Sequence, residues 1–379
     1  MTRTVFVVIL ILSMMLGTPL SNALDGEWEI TPASEKAADR GLEWLAKNQG
    51  SDGNWGCNDL GLVAMGALAF MSAGHLPDRG RYGTNVRRAL DFILINAKPS
   101  GLLNVSGGRR DMYNHGLAVF VVSQAYGMTN DRRVGKVLDK GIRLILDVQC
   151  DDGGWAYEAI QKTRGHDLSL AVMQAKAIRA AMDMGLEIPP ERVEMALKFI
   201  RDRYKPYGEA DGYRYGNDPL SDRPGCFTYN GSNASTAMAS AGAVCLQEFG
   251  KYSDFRIQRS MNRVMEDINE RMTTKLSQGQ IPFDAYAMTY VCQSLYQAGG
   301  KYWKEGYPKI REAIVKMQSA EAGSETHGSW GANGRVGGRE GQLYGTAVSV
   351  FALTIPNRYL PILQKGEAKS TSVAKRIKQ

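Results

Sequence analysis

Cysteine and histidine are scarce in this chain, five and four among 379 residues. No Cys-x-x-Cys pair occurs, so no metal site with the usual paired spacing is expected. Five cysteines are an odd number at low density, which excludes a small disulfide scaffold. Cys245 and Cys292 lie inside apolar helical patterns and read as buried thiols. The residues leave open whether a bridge joins two of Cys57, Cys150 and Cys226. Period-two alternation of apolar and polar residues is also rare, so little sheet is expected. No phosphate-binding loop, dinucleotide fingerprint or Ser-His-Asp signature is present, so no cofactor is expected. The Lys and Arg pattern matches no RNA or DNA module, which argues against a nucleic-acid partner. At 44% hydrophobic and 22% charged residues, global disorder is excluded.

What is present begins with an export signal. Arg3 precedes the apolar run Val5 to Leu16, and Ser21-Asn22-Ala23 places small residues where a signal peptidase cuts. Residues 1–23 are therefore expected to be a signal peptide, leaving a periplasmic or secreted chain that begins near Leu24. The formal charge is +7, but the stretch from Lys365 to Gln379 alone holds five basic residues and one acidic one. The charge thus describes a basic tail, 364–379, able to touch anionic membrane surfaces weakly.

Between these ends the chain repeats. Gly41 to Gln49 is followed by Asp52-Gly-Asn-Trp55; one hundred positions later Gly141 to Gln149 is followed by Asp152-Gly-Gly-Trp155. A third copy runs from Ile310 to Gln318 and reaches Gly328-Ser-Trp330. Weaker copies start at Val86, Val193 and Ile257. Each amphipathic segment precedes a helix rich in small residues: Leu60–Ala73, Gly116–Tyr126, Leu168–Met184, Ala234–Phe249, Ala285–Ala298 and Thr346–Leu353. Most of these end at glycine, which supplies a left-handed stop. Helices with so little polar surface need burial on most sides. Six pairs therefore predict an all-α fold in two concentric layers, small-residue helices inside.

The run Gln149-Cys-Asp-Asp-Gly-Gly-Trp155 resembles the QW repeat of squalene–hopene and oxidosqualene cyclases. Met112-Tyr-Asn-His-Gly116, Ala125-Tyr-Gly-Met128, Tyr344-Gly-Thr-Ala347 and Arg358-Tyr-Leu-Pro361 resemble exported bacterial proteins with prenyltransferase/squalene oxidase repeats. The resemblance covers about residues 35–363 and implies an α/α toroid, an α6/α6 barrel of about six helix hairpins. It implies a terpenoid cyclase-like or prenyltransferase-like protein holding an isoprenoid or lipid ligand in a central cavity.

The repeat residues Gln49, Trp55, Gln149, Trp155, Gln318 and Trp330 read as structure: the amide can bond a neighbouring helix end while the indole packs over it. Chemistry is expected where the inner helices begin. Asp59, Asn114 with His115, His166 with Asp167, and Asp284 stand there, with Tyr113, Tyr157, Tyr286 and Tyr344 as an aromatic wall. Asp167, His166 and His115 are the catalytic candidates. The cyclase acid motif Asp-x-Asp-Asp aligns with Arg164-Gly-His166-Asp167, where only the last residue matches. Without the full acid motif, two other readings stand beside the isoprenoid one. The first is an envelope scaffold that binds a protein or glycan. The second is a polysaccharide lyase, a class that also uses toroids and calls for an arginine base and a calcium-binding carboxylate cluster.

Overall fold

A computed structural model describes residues 28–107, 110–206, 225–278, 283–334 and 336–364. The expected signal peptide and all but the first residue of the expected basic tail lie outside this set.

Outer helices take the amphipathic segments. They are α1 (Pro32–Asn48), α3 (Gly83–Ile95), α5 (Arg132–Asp147), α7 (Pro190–Arg201), α9 (Phe255–Ser277) and α11 (Gly300–Lys316). Inner helices take the small-residue segments: α2 (Leu60–Ser72), α4 (Asp111–Tyr126), α6 (Leu168–Asp183), α8 (Thr236–Glu248), α10 (Ala285–Ala298) and α12 (Gly338–Thr354). Every residue of α2 is buried, whereas α5 buries only one stripe of Val134, Leu138, Gly141, Ile142 and Ile145. Each inner helix packs on the next, and α12 returns to α2, so the inner ring closes. Outside it, α1 covers the seam between α12 and α2 and touches α11. This is the expected α/α toroid. The described sheet is a single antiparallel pair, β1 (Tyr204–Pro206) with β2 (Gly225–Phe227).

The repeated Gln and Trp do one job in three places. Gln49 Nε2 donates to the carbonyls of Gly53 and Asn85, Gln149 Nε2 to those of Gly153 and Arg192, and Gln318 Nε2 to those of Gly328 and Ala37, all between 2.8 and 3.1 Å. One partner lies in the repeat's own turn, the other in the first turns of the next outer helix. The indoles point back: Trp55 to the Leu45 carbonyl, Trp155 to Ile145 and Trp330 to Ile314, at 2.7–2.8 Å. In each copy that carbonyl lies four residues before the Gln, in the helix's last turn, where intrahelical donors run out. The motif therefore ends one outer helix and fastens the next.

Four helix boundaries differ from the sequence reading. α4 begins at Asp111, so Asn114 and His115 lie within its first turns instead of preceding it. α12 begins at Gly338, which puts Tyr344 in its second turn. α8 begins at Thr236 instead of Ala234, and its cap is Ser235, whose side chain accepts from Met238 N. The weak copy that starts at Ile257 lies in α9, the longest of the described helices, which begins at Phe255. Gly74, Gly185, Gly250 and Gly299 do adopt positive φ at helix ends, but Gly127 stays at φ −73. All five cysteines are buried and unbridged.

Inside the ring, side chains from several inner helices meet. Lys176 of α6 donates to Gln293 Oε1 of α10 at 2.9 Å and lies 4.3 Å from the Phe120 ring centre of α4. Burial pushes the Lys176 ammonium down and the Glu248 carboxyl up, each countered by the other's charge. The far end is covered by the turn Pro361–Leu363, where Ile362 N donates to Gln124 Oε1 and Tyr296 to the Leu363 carbonyl. Among the described residues no helix is long and apolar enough to cross a membrane.

Candidate functional site at the inner-helix mouth

The site grows out of the second repeat. Asp59, the cap of α2, lies ten positions after Gln49; Asp167, the cap of α6, lies eighteen after Gln149. The additional length is the loop 156–166, which carries Tyr157, Glu158, Lys162, Arg164 and His166.

That loop is pinned at both ends by backbone bonds that its glycines and aspartate allow. Asp152 Oδ1 accepts from Gly154 N at 3.1 Å and from Gly165 N at 2.8 Å. Gly165 lies so close to Gly154 that an added Cβ would stand 2.5 Å from its Cα. His166 N donates to the Trp155 carbonyl at 2.8 Å, and Met112 N of α4 donates to the Tyr157 carbonyl at 3.0 Å. The repeat turn thus holds His166 and Tyr157 in register with the start of α6.

Asp167 is the centre. Its Oδ2 accepts from Tyr157 at 2.7 Å and from His166 Nδ1 at 2.6 Å; its Oδ1 accepts from Ser169 Oγ at 2.5 Å and Leu170 N at 3.0 Å. Burial alone would raise this carboxyl. Donors from Ser169, Tyr229, Tyr157 and His166 outweigh it and hold the pKa below the ordinary value, so the group is an anion. The N-terminus of α6 favours the same charge. An ionised Asp167 requires the proton of His166 on Nδ1, which leaves Nε2 as the basic nitrogen. Nε2 has no partner among the described residues. Asp167 is fully buried, whereas the His166 side chain is 53% exposed.

His166 opens on a pocket of ≈ 340 Å³ lined by Ala156, Tyr157, Glu158, Lys162, Arg164 and His166. Lys162 Nζ lies 2.8 Å from Glu158 Oε2. Arg164 is exposed and has no carboxylate within ion-pair distance among the described residues. Deeper in, tyrosines replace charges. Tyr113 shares a hydrogen bond with Ser169 and stacks on Tyr157 with ring centres 5.7 Å apart. Tyr286 donates to the Ser169 carbonyl at 3.4 Å and meets Tyr290 edge-on; Tyr344 stands beside Thr289. Burial raises the pKa of Tyr113, Tyr286 and Tyr344, so these hydroxyls stay protonated.

The structure brings Asp167, His166, Tyr157 and Tyr113 together and joins Tyr286 to them through Ser169. It places His115 elsewhere. His115 is fully buried, its Nδ1 accepts from Leu103 N at 3.1 Å, and its Nε2–H donates to the Gly141 carbonyl at 3.0 Å. Burial lowers its pKa to about 4. Asp59 and Asp284 cap α2 and α10, and Asn114 donates to Asn104 Oδ1 and Ser106 Oγ to hold a loop. Tyr229 is a member that sequence reading missed. Its hydroxyl lies 2.7 Å from that of Tyr157, and its carbonyl accepts from Leu168 N. It follows β2 in an irregular stretch with no periodic signal. Among the described residues no group of three His, Cys, Asp or Glu could hold a metal ion.

No family model matches the chain, and no curated protein matches it in sequence. Its likeness is to solved structures. The α-1,6-mannanase GH76A of Salegentibacter sp. HEL1_6 superposes with a TM-score of 0.55 at 13% identity, over 86% of this chain and 99% of that one. An inactive variant of the same enzyme, with two aspartates replaced by alanine and α-1,6-mannotetrose bound, gives 0.53 at 13% identity, over 87% and 99%. The type II terpene cyclase MstE from Scytonema gives 0.53 at 12% identity, over 87% of this chain and all of that one. The chain shares the α/α toroid fold of mannanases and a terpene cyclase alike, and at this identity the likeness is one of fold.

Proposed function

We propose that the chain is an exported enzyme acting on a polysaccharide at the inner-helix mouth, with His166 as the proton-transfer group. The observation that carries this is the His166 ring itself. One nitrogen is fixed on a buried anion, the other has no partner among the described residues, and the ring lines an open pocket. That is the arrangement of a general base whose tautomer is set by its partner. Asp167 orients and stabilises the imidazolium that forms. Tyr157 and Tyr229 complete the anion's hydrogen bonds and offer hydroxyls to a sugar.

The isoprenoid reading draws on the tyrosine wall around Tyr113, Tyr286 and Tyr344, and on the terpene cyclase likeness. Cyclisation begins with a protonated carboxylic acid, however, and Asp167 is held as an anion. A pocket walled by Lys162, Glu158, Arg164 and His166 suits a hydroxylated ligand better than a hydrocarbon.

The test is turnover. The mature chain is incubated with a panel of neutral and acidic polysaccharides and, separately, with squalene, and products are read by mass spectrometry. The expected result is a saccharide product that His166→Ala and Asp167→Asn each reduce at least ~100-fold, with unchanged circular dichroism. Cyclised squalene and no saccharide product would return the site to the isoprenoid reading. Absence of any product would leave the non-enzymatic scaffold.

A further inference from the structure

Building on the polysaccharide reading, we infer that the substrate of this site is a uronate-containing glycan and that the reaction is an elimination. Two features of the pocket lead there. The first is Arg164. Its guanidinium stands on the pocket wall without a carboxylate partner among the described residues, beside a Lys162–Glu158 pair that offsets itself. Of the other anions nearby, Asp167 is buried beneath His166 and Tyr157 with both oxygens engaged, Asp152 is turned to the Gly154 and Gly165 amides, and Asp151 accepts from Gln161. The fork, unpaired among the described residues, is therefore available to a ligand, and a planar guanidinium pairs well with a carboxylate through two parallel hydrogen bonds.

The second feature is what the pocket does not supply. Hydrolysis of a glycosidic bond ordinarily uses two carboxyl groups, one protonated to assist the leaving oxygen. Here Glu158 is paired with Lys162, and Asp167 accepts four hydrogen bonds as an anion. The carboxylate that His166 touches is therefore not an acid. A basic imidazole and a carboxylate-binding cation in one pocket instead match proton abstraction from a carbon next to a carboxylate.

In that step His166 Nε2 removes the proton from the ring carbon bearing the uronate carboxylate. Arg164 neutralises the charge that spreads onto the carboxylate. The electron pair forms a double bond to the neighbouring ring carbon, and the bond from that carbon to the glycosidic oxygen breaks. The imidazolium returns the proton to the leaving oxygen. The products are an unsaturated uronate and a free hydroxyl, with no water, oxidant or metal consumed.

Polygalacturonate, alginate and hyaluronan are incubated with the mature chain alongside neutral mannan. The double bond conjugated with the carboxylate is followed by ultraviolet absorbance and cleavage by reducing ends. The expected result is absorbing product from at least one uronate polymer and none from mannan. Arg164→Gln is expected to raise KM at least ~10-fold, the size of one charged hydrogen-bond pair. His166→Ala is expected to abolish the absorbance while oligouronate binding, read by calorimetry, persists. Cleavage of mannan, or of a uronate polymer without absorbing product, would overturn the elimination and leave the polysaccharide reading standing. Failure to cleave any of the four polymers would overturn both.

Discussion

Two histidines show how environment divides one residue type into two roles. His166 stands at a surface, and its Nε2 has no partner among the described residues. His115 is sealed between the segment before α4 and the backbone of α5, and a proton on its Nδ1 would face the Leu103 N–H. That geometry makes His115 a pH-dependent structural clamp. Its folded pKa of about 4 lies below the ordinary 6.5. Between those values the unfolded chain binds a proton that the folded chain refuses, so stability falls as pH drops through this window. The contribution is about 3 kcal/mol across the full window. Glu248 acts in the opposite sense over part of it, so the comparison must be between two chains. Urea unfolding at pH 7 and pH 4.5 is expected to show a smaller pH-dependent loss in His115→Gln than in the parent chain. Equal pH dependence in both would show that His115 is not the titrating clamp. The pairing of His166 with Asp167 was legible because both neighbours sit next to an inner-helix start. The role of His115 was not, since both its partners are backbone groups that only the packing of α4 on α5 brings near.

At the scale of elements, Gly53 and Gly153 in the repeat turns are placed by backbone contact, and Gly250 at the end of α8 by conformation alone. Gly153 has φ +89, and a Cβ there would lie 2.0 Å from the Met195 carbonyl oxygen of α7; Gly53 repeats this against Arg88 of α3 at 2.1 Å. Gly250 also has positive φ but nothing within 4 Å of the missing Cβ. Alanine at Gly250 should cost about 1 kcal/mol, the penalty of the left-handed conformation. Alanine at Gly153 adds a clash with rigid backbone and should cost at least about 3 kcal/mol. It should also move Tyr157 and His166, because the same turn anchors the loop 156–166. Denaturant midpoints of the two variants provide the check, and equal costs would refute the contact argument. Helix number and layer were readable from the period of small and charged residues. The boundaries of α4 and α12 were not, because glycines at 116 and 345 resemble starts when they serve close packing against Gln174 and Gly331.

A closed ring has a last joint that an open stack of hairpins lacks, and here the first and final repeats make it. Gln318 donates to the Ala37 carbonyl and accepts from Arg40, Trp44 donates to the Glu325 carbonyl, and the Trp330 ring lies against Gly41. Glu29 accepts from both Trp303 and Arg358 at the same seam. These contacts span more than 270 residues of sequence, so their loop-closure entropy exceeds that of the contacts between consecutive units. Gln49 and Gln149 make the same bonds between consecutive units, where closure is local. Replacing Gln318 by Ala should therefore open the ring at one place instead of loosening it throughout. Native-state hydrogen exchange is expected to rise first in α1 and α11, while α4 to α8 keep their protection. Gln149→Ala should instead raise exchange at α5 to α7 and in the loop that carries His166. If either variant raised exchange uniformly around the ring, the toroid would be unfolding as one cooperative unit, and the seam would hold no separate free energy. The proposed activity provides a second readout of the same difference. The mouth site draws its loop from the second repeat and its tyrosines from α4, α10 and α12, so it needs the ring closed. Opening the seam beside α12 should displace Tyr344 while leaving the Asp167–His166 bond intact. Substrate affinity would then weaken more than the proton-transfer rate, whereas Gln149→Ala should weaken both.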